Sequence, residues 1–161
     1  MLQANTLFLF EMHMCLIRYA NLDDLDALAA VFDAYRVFYQ MPSDLALARQ
    51  FLGERLALGE SVILLAEGDS GAVQGFIQLY PLFSSSLCQR ILLLNDLYVI
   101  EAARGQGVAR QLMQKAAAHA KAVGAARLEL STAHSNTRAQ ALYESLAYQL
   151  DREFRNYSLA V

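Results

Sequence analysis

The chain has 161 residues, 56% of them hydrophobic and 18% charged, with a formal net charge of −3. That length builds one domain with a sizeable core. No apolar run approaches the ~18 residues of a membrane span, and the acidic balance argues against the basic footprint of nucleic-acid binding. Cys15 and Cys88 stand far apart, so neither a disulfide framework nor a metal site is expected, and a reducing cytoplasm fits.

Residues 1–13 read as an N-terminal extension. Their apolar patch, Leu7–Phe10, has no basic residue ahead of it and makes a poor signal peptide. Residues 14–161 read as a single domain. A strand is predicted over 15–19, then a helix capped by Asn21 with Leu22, Leu25, Leu28, Ala29, Phe32 and Tyr35 on its apolar side. Pro42 and Ser43 open a second helix that runs to about Leu58 and closes at Gly59. A buried strand over 61–66, a Gly-Asp-Ser-Gly turn at 68–71 and a return strand over 73–80 form a hairpin, with Pro81 ending or bending it at an edge. After a serine-rich turn at 84–87, a long strand is predicted over 88–100. The strongest helical pattern covers 106–123 and stops at Gly124. A strand over 127–131, a helix over 136–146 and two short strands over 148–151 and 154–160 finish the chain. The order βααβββαβαββ implies an α/β fold with a mixed sheet and helices on both faces.

Residues 104–109, Arg-Gly-Gln-Gly-Val-Ala, sit where a strand passes into a helix. A helix start leaves backbone N–H groups unpaired and carries the positive end of the helix dipole. Gly105 and Gly107 let a phosphate approach those groups, and Arg104 and Arg110 add charge. The dinucleotide fingerprint requires a third small residue where Arg110 stands, and no Walker string occurs in the chain. What remains is Arg-x-x-Gly-x-Ala, which resembles the acyl-CoA pyrophosphate loop of the GNAT N-acetyltransferases.

Three more segments extend that resemblance over roughly residues 15–160. Leu97-Tyr98-Val99 precedes the loop, Leu128-Glu129-Leu130 lies on the next strand, and Asn136-x-x-Ala139-x-x-Leu142-Tyr143 is similar to the family's Asn/Tyr segment. The resemblance implies the GNAT fold, a mixed and mostly antiparallel sheet of six to seven strands. It implies acetyl-CoA as co-substrate, held by the main chain of Leu97 and Val99, by Arg104, Gly105, Gln106, Gly107, Val108, Ala109 and Arg110, and by Asn136. It also implies transfer to the primary amine of a small molecule by direct attack on the thioester. A non-catalytic acyl-CoA-binding module is the alternative, as is an acceptor amine on a protein or an aminoglycoside. A homodimer is expected, since dimers are frequent in the family.

Tyr143 is the expected general acid for the departing thiolate, because a phenol and a thiol have comparable pKa values. Diamine acetyltransferases often carry Leu-Glu-Asp where this chain has Leu94-Asn95-Asp96. Asn95 takes no proton and becomes a substrate contact, which leaves Asp96 as the candidate base, beside a water route with no single base. Tyr35, Phe38, Tyr39 and Tyr80 are candidate pocket walls, with aromatic faces suited to a cationic amine. Arg36 reads as a solvated helix residue, and His13, His119 and His134 as surface residues. Phe154-x-x-Tyr157-Ser158-Leu159 resembles the closing strand of the diamine and polyamine acetyltransferases.

Overall fold

The computed structural model describes residues 15–161, so the expected N-terminal extension and His13 lie outside the described residues. These divide into two compact units, one ending at Leu130 and the other spanning Ser131–Val161. The first contains β1 (Leu16–Tyr19), α1 (Leu25–Phe38), α2 (Leu45–Leu58), β2 (Val62–Glu67), β3 (Val73–Ser84), β4 (Gln89–Val99), α3 (Val108–Ala122) and β5 (Leu128–Glu129). The sheet follows sequence order from β1 to β5. The first four strands are antiparallel, and β5 runs parallel to β4.

Alternation along the strands divides the sheet between two helical layers. On one face Ile63, Leu65 and Phe76 pack with Leu25, Leu28 and Phe32 of α1 and Ala48 and Leu52 of α2. Leu64, Ile77 and Leu79 point the other way and are fully buried, on the side where α3 packs Val108, Leu112, Met113 and Ala116. Each such aliphatic side chain contributes about 1.5–3 kcal/mol by leaving water. His119 is half-buried rather than a free surface residue. Its Nδ1 shares a 3.0 Å hydrogen bond with the Tyr19 hydroxyl, and burial lowers its pKa.

The connection from α1 to α2 is tied down by one carboxylate. Asp33, on the last turns of α1, accepts from Ser43 Oγ at 2.6 Å, from the Asp44 N–H at 2.8 Å and from Arg36 Nη1 at 3.2 Å. Ser43 is therefore occupied, and Asp44 caps α2 instead, accepting from the Leu47 N–H at 2.9 Å. Arg36 is not solvated as its helix position implied: it pairs with Asp33 and donates to the Asp44 carbonyl.

The sheet has five strands among the described residues, not six or seven. The second unit holds α4 (Thr137–Ser145), and residues 146–161 form no helix or strand, so the two predicted C-terminal strands are absent. Leu150, Phe154, Tyr157 and Leu159 are largely exposed. Alternation of apolar residues makes a strand only where another strand takes up its backbone hydrogen bonds, and none among the described residues does here. Strand β3 continues through Pro81 to Ser84. Its pairing with β2 ends at Leu79, so Pro81, facing Leu92 of β4, lies where one flank is open and its missing N–H costs nothing.

The hydrogen bonds from Ser43, Asp44 and Arg36 hold the Asp33 pKa below its ordinary value. Such a group stabilises the fold above the unfolded carboxylate pKa and loses that contribution as pH falls through its lowered folded value. Asp33→Asn is expected to cost about 1–3 kcal/mol near pH 7, read as a lower denaturation midpoint. The gap to wild type should narrow once pH falls below about 3.9.

Candidate active site

Strand β4 carries the candidate base, Asp96, and its register slips in mid-strand. Gln78 pairs with Asp96, but the next residue of β3, Leu79, pairs with Leu94. Asn95 is thus an extra residue, a β-bulge that re-aims the side chains around it. Asp96 and Tyr98, two residues apart, lie on the face covered by α1, opposite Gln78 and Phe76.

Asp96 is only 5% exposed. The Tyr35 side chain hydrogen-bonds its carboxylate, and Asn95 Nδ2 reaches both carboxylate oxygens at 3.2 Å. Burial raises the Asp96 pKa above its ordinary value, while Tyr35 and Asn95 partly offset that rise. Neutral donors can hold a carboxylate in place without neutralising it, which suits a proton acceptor working near neutral pH. On β3, burial and then the Asp96 charge push the Tyr80 pKa up.

Tyr35 is fixed by rings. Its centroid lies 5.0 Å from that of Tyr39, 5.8 Å from those of Phe32 and Phe76, and 6.0 Å from that of Tyr98. Phe38 extends the cluster to Tyr39 and Tyr98. Of the expected pocket residues, Tyr35 and Asn95 contact Asp96, Tyr80 feels its charge, and Tyr39 packs on Tyr35 one ring further out. Sequence reading overlooked Gln78, which is fully buried and donates from Nε2 to Ser61 Oγ at 2.9 Å. The signal was available: a glutamine occupies a core-facing slot between Phe76 and Tyr80.

Among the described residues, the opposite edge of β4 pairs with no strand beyond Leu93. Ile100 donates its N–H to the Gln74 carbonyl at 2.9 Å, so by antiparallel alternation the main chain of Asp96 and Tyr98 faces β3, and that of Leu97 and Val99 faces away. On that side β5 pairs with β4 only at Leu92 and Leu93. Gly75 makes the inner edge tight, since a Cβ there would stand 2.6 Å from the Tyr98 carbonyl oxygen.

Beyond β4, Gly105 and Gly107 both have φ near +82°, and nothing lies within 4 Å of where either Cβ would stand. Gly107 opens α3 with no side-chain cap, which leaves amides at a helix start facing an open cradle. Gln106 does not reach into it, because its Nε2 donates to the Ala102 carbonyl. Arg104 also turns away: its Nε donates to the Val99 carbonyl at 2.9 Å, and its guanidinium stands over the Phe38 and Tyr98 rings. The cradle and the bare edge of β4 fit a phosphate-bearing, amide-containing ligand such as coenzyme A.

In the second unit Asn136 is the α4 cap. Its Oδ1 accepts from the Ala139 N–H at 3.3 Å and its Nδ2 donates to Thr132 Oγ1 at 3.2 Å. The Tyr143 ring lies 6.1 Å from that of Tyr148, whose pKa is raised by burial and by the neighbouring Tyr143.

The model of the acetyltransferase (GNAT) family matches residues 28–148. The chain belongs to the GNAT acetyltransferase family. It is 46% identical over 145 residues to the uncharacterized N-acetyltransferase YhfO of Bacillus subtilis (strain 168), covering 90% of this chain and 97% of that protein. Over 89 residues, 55% of each chain, it is 34% identical to the D-amino-acid N-acetyltransferase HPA3 of Saccharomyces cerevisiae. A crystal structure of a probable acetyltransferase superposes with a TM-score of 0.86 at 46% identity, covering 91% of this chain and 97% of that one. This GNAT chain is accordingly an acyltransferase enzyme of mixed α/β fold. Among its described residues no helix is long and apolar enough to cross a membrane.

A raised carboxylate pKa in this GNAT fold has a consequence for stability. The folded state favours neutral Asp96, so its contribution is fully present below the unfolded carboxylate pKa and is lost as pH rises through the raised folded value. Asp96→Asn retains an acceptor for the surrounding donors and carries no charge. It is expected to raise Tm at pH 7, with the advantage over wild type shrinking as pH falls toward 4.

Proposed function

We propose that this enzyme transfers an acetyl group from acetyl-CoA to the primary amine of a small molecule, with Asp96 as the proton acceptor. The observation that carries the reading is a buried carboxylate of raised pKa, held by Tyr35 and Asn95 on the strand whose other edge is bare. Acetyl-CoA, the usual co-substrate of the family, supplies an activated acyl thioester when bound. The main chain of Leu97 and Val99 holds its amide-bearing arm, and a Val99 N–H turned to the open edge serves as donor where negative charge develops on the carbonyl oxygen. Gly105, Gln106, Gly107, Val108, Ala109 and Arg110 present the cradle to the pyrophosphate, and Asn136 shapes the start of α4 for the same ligand.

An alkylammonium has a pKa of ~10 and must lose a proton before its lone pair is free. Asp96 takes a proton from the bound amine, directly or through one water, while Tyr35, Tyr39, Tyr80 and Asn95 position it. Tyr143 gives a proton to the sulfur as the thiolate leaves. Two acceptor classes stand within this reading. The C-terminal string Phe154–Leu159 resembles the diamine and polyamine enzymes, and the partial relative HPA3, named for D-amino acids, favours an amino-acid-like amine. Free Cys15 and Cys88 accord with a reducing cytoplasm, and we take the enzyme to be a homodimer built from one catalytic domain per chain.

Thiol release from acetyl-CoA over a panel of small amines tests the proposal. At least one primary amine should be turned over, with Asp96→Asn lowering kcat/KM by about 10²-fold or more. Tyr143→Phe should lower kcat between pH 7 and 9, and an unchanged kcat would remove Tyr143 from the mechanism. Acetyl-CoA binding with no amine turned over would leave only a binding module.

A further inference from the structure

We propose that the Arg104 guanidinium binds a carboxylate of the acceptor, so that the acceptor is an amino acid or a similar amine bearing a carboxylate near its nitrogen, and not a polyamine. The inference rests on the reading of Asp96 as the group that receives the amine. Its basis is the direction the Arg104 side chain takes. The guanidinium carbon lies 5.5 Å from the centroid of the Tyr98 ring and 5.8 Å from that of Phe38. The Tyr98 ring borders Tyr35, which holds Asp96, and Phe38 packs on Tyr98. The side chain therefore leaves the glycine cradle it precedes in sequence and joins the aromatic cluster beside Asp96.

Its charge is not used up there. Arg18, Arg36, Arg49, Arg55 and Arg127 each pair with a carboxylate, whereas Arg104 has no acidic partner among the described residues. A guanidinium carries five N–H donors in a planar fork, and the Nε–H is the one anchored, on the Val99 carbonyl. That anchor and the two rings hold the group rigid, and Arg104 as a whole is exposed. A fixed fork with donors to spare suits the bidentate recognition of a carboxylate.

Asp96 and Tyr98 are two residues apart on one face of β4, about 6.6 Å along the strand, and the Arg104 guanidinium stands over the Tyr98 ring, so an amine at Asp96 and a carboxylate at the guanidinium belong to one small molecule. A polyamine meets the opposite situation. Its second ammonium would approach a fixed positive charge, and the Phe38 and Tyr98 rings that could otherwise hold it already carry the guanidinium.

The test compares α-amino acids with their amides, and with spermidine, at saturating acetyl-CoA. The wild-type enzyme should favour the acids over the amides by tenfold or more in kcat/KM. It should do so although the amides lose their ammonium protons more easily. Arg104→Gln should bring that ratio close to one, and Arg104→Lys should leave it in between. Calorimetry of an amino acid binding to the CoA complex should show at least tenfold weaker Kd for Arg104→Gln, and this measurement does not depend on turnover. Preference for amides or spermidine in the wild type, a comparison needing no variant, would overturn the assignment. So would an unchanged acid-to-amide ratio in Arg104→Gln with a raised KM for acetyl-CoA, which would give the side chain to the donor. Loss of all turnover with the binding difference intact would instead refute the catalytic reading and leave Arg104 as the carboxylate site.

Discussion

The structure turns on a carboxylate buried in mid-sheet. Placing Asp96 on the inner face of β4 takes an ionisable group out of water, a cost that neutral hydrogen bonds reduce but do not cancel. Three features make the placement possible. The Asn95 bulge brings a side-chain amide against both carboxylate oxygens. Tyr35 adds its hydroxyl from α1, and four neighbouring rings prevent that tyrosine from turning away. Each belongs to a different level of organisation: a strand irregularity, a helix docked on a sheet, and an aromatic cluster.

Under the proposed function, the same strand separates two kinds of recognition. Side chains of Asp96 and Tyr98 serve the face under α1, while the backbone of Leu97 and Val99 is turned to the uncovered edge. A donor read by backbone groups and an acceptor read by side chains can then meet across one strand. In the proposed function the acceptor side is built from α1 and the segment after it, which gives the Asp33 strap a role in that function as well as in stability. It fixes the end of the helix that carries Tyr35, Phe38 and Tyr39.

Much of this was legible in the sequence where the physics is local. Hydrophobic periodicity located α1 and α3, turn residues marked the ends of α2, and glycines with left-handed backbone closed α2 and opened α3. Asp96, Tyr35 and Tyr80 could be named as a group because strand and helix order brings their elements together. Long-range pairing was not legible. The apolar alternation near Phe154, Tyr157 and Leu159 reads like a strand, yet no strand among the described residues takes its hydrogen bonds. The bulge at Asn95 is a register effect that neither strand announces alone. The direction of Arg104 was hidden for the same reason: the motif specifies its backbone, while Phe38 and Tyr98, distant in sequence, specify where its side chain goes.

The central claim is that Asp96 holds its proton more tightly than an ordinary carboxylic acid, which is what fits it to accept one from an amine. A carbon-13 NMR titration of the aspartate carboxyl groups, with Asp96 assigned through Asp96→Asn, measures this directly. The account predicts a midpoint for Asp96 clearly above the usual value of about 3.9. A midpoint at or below that value would contradict it.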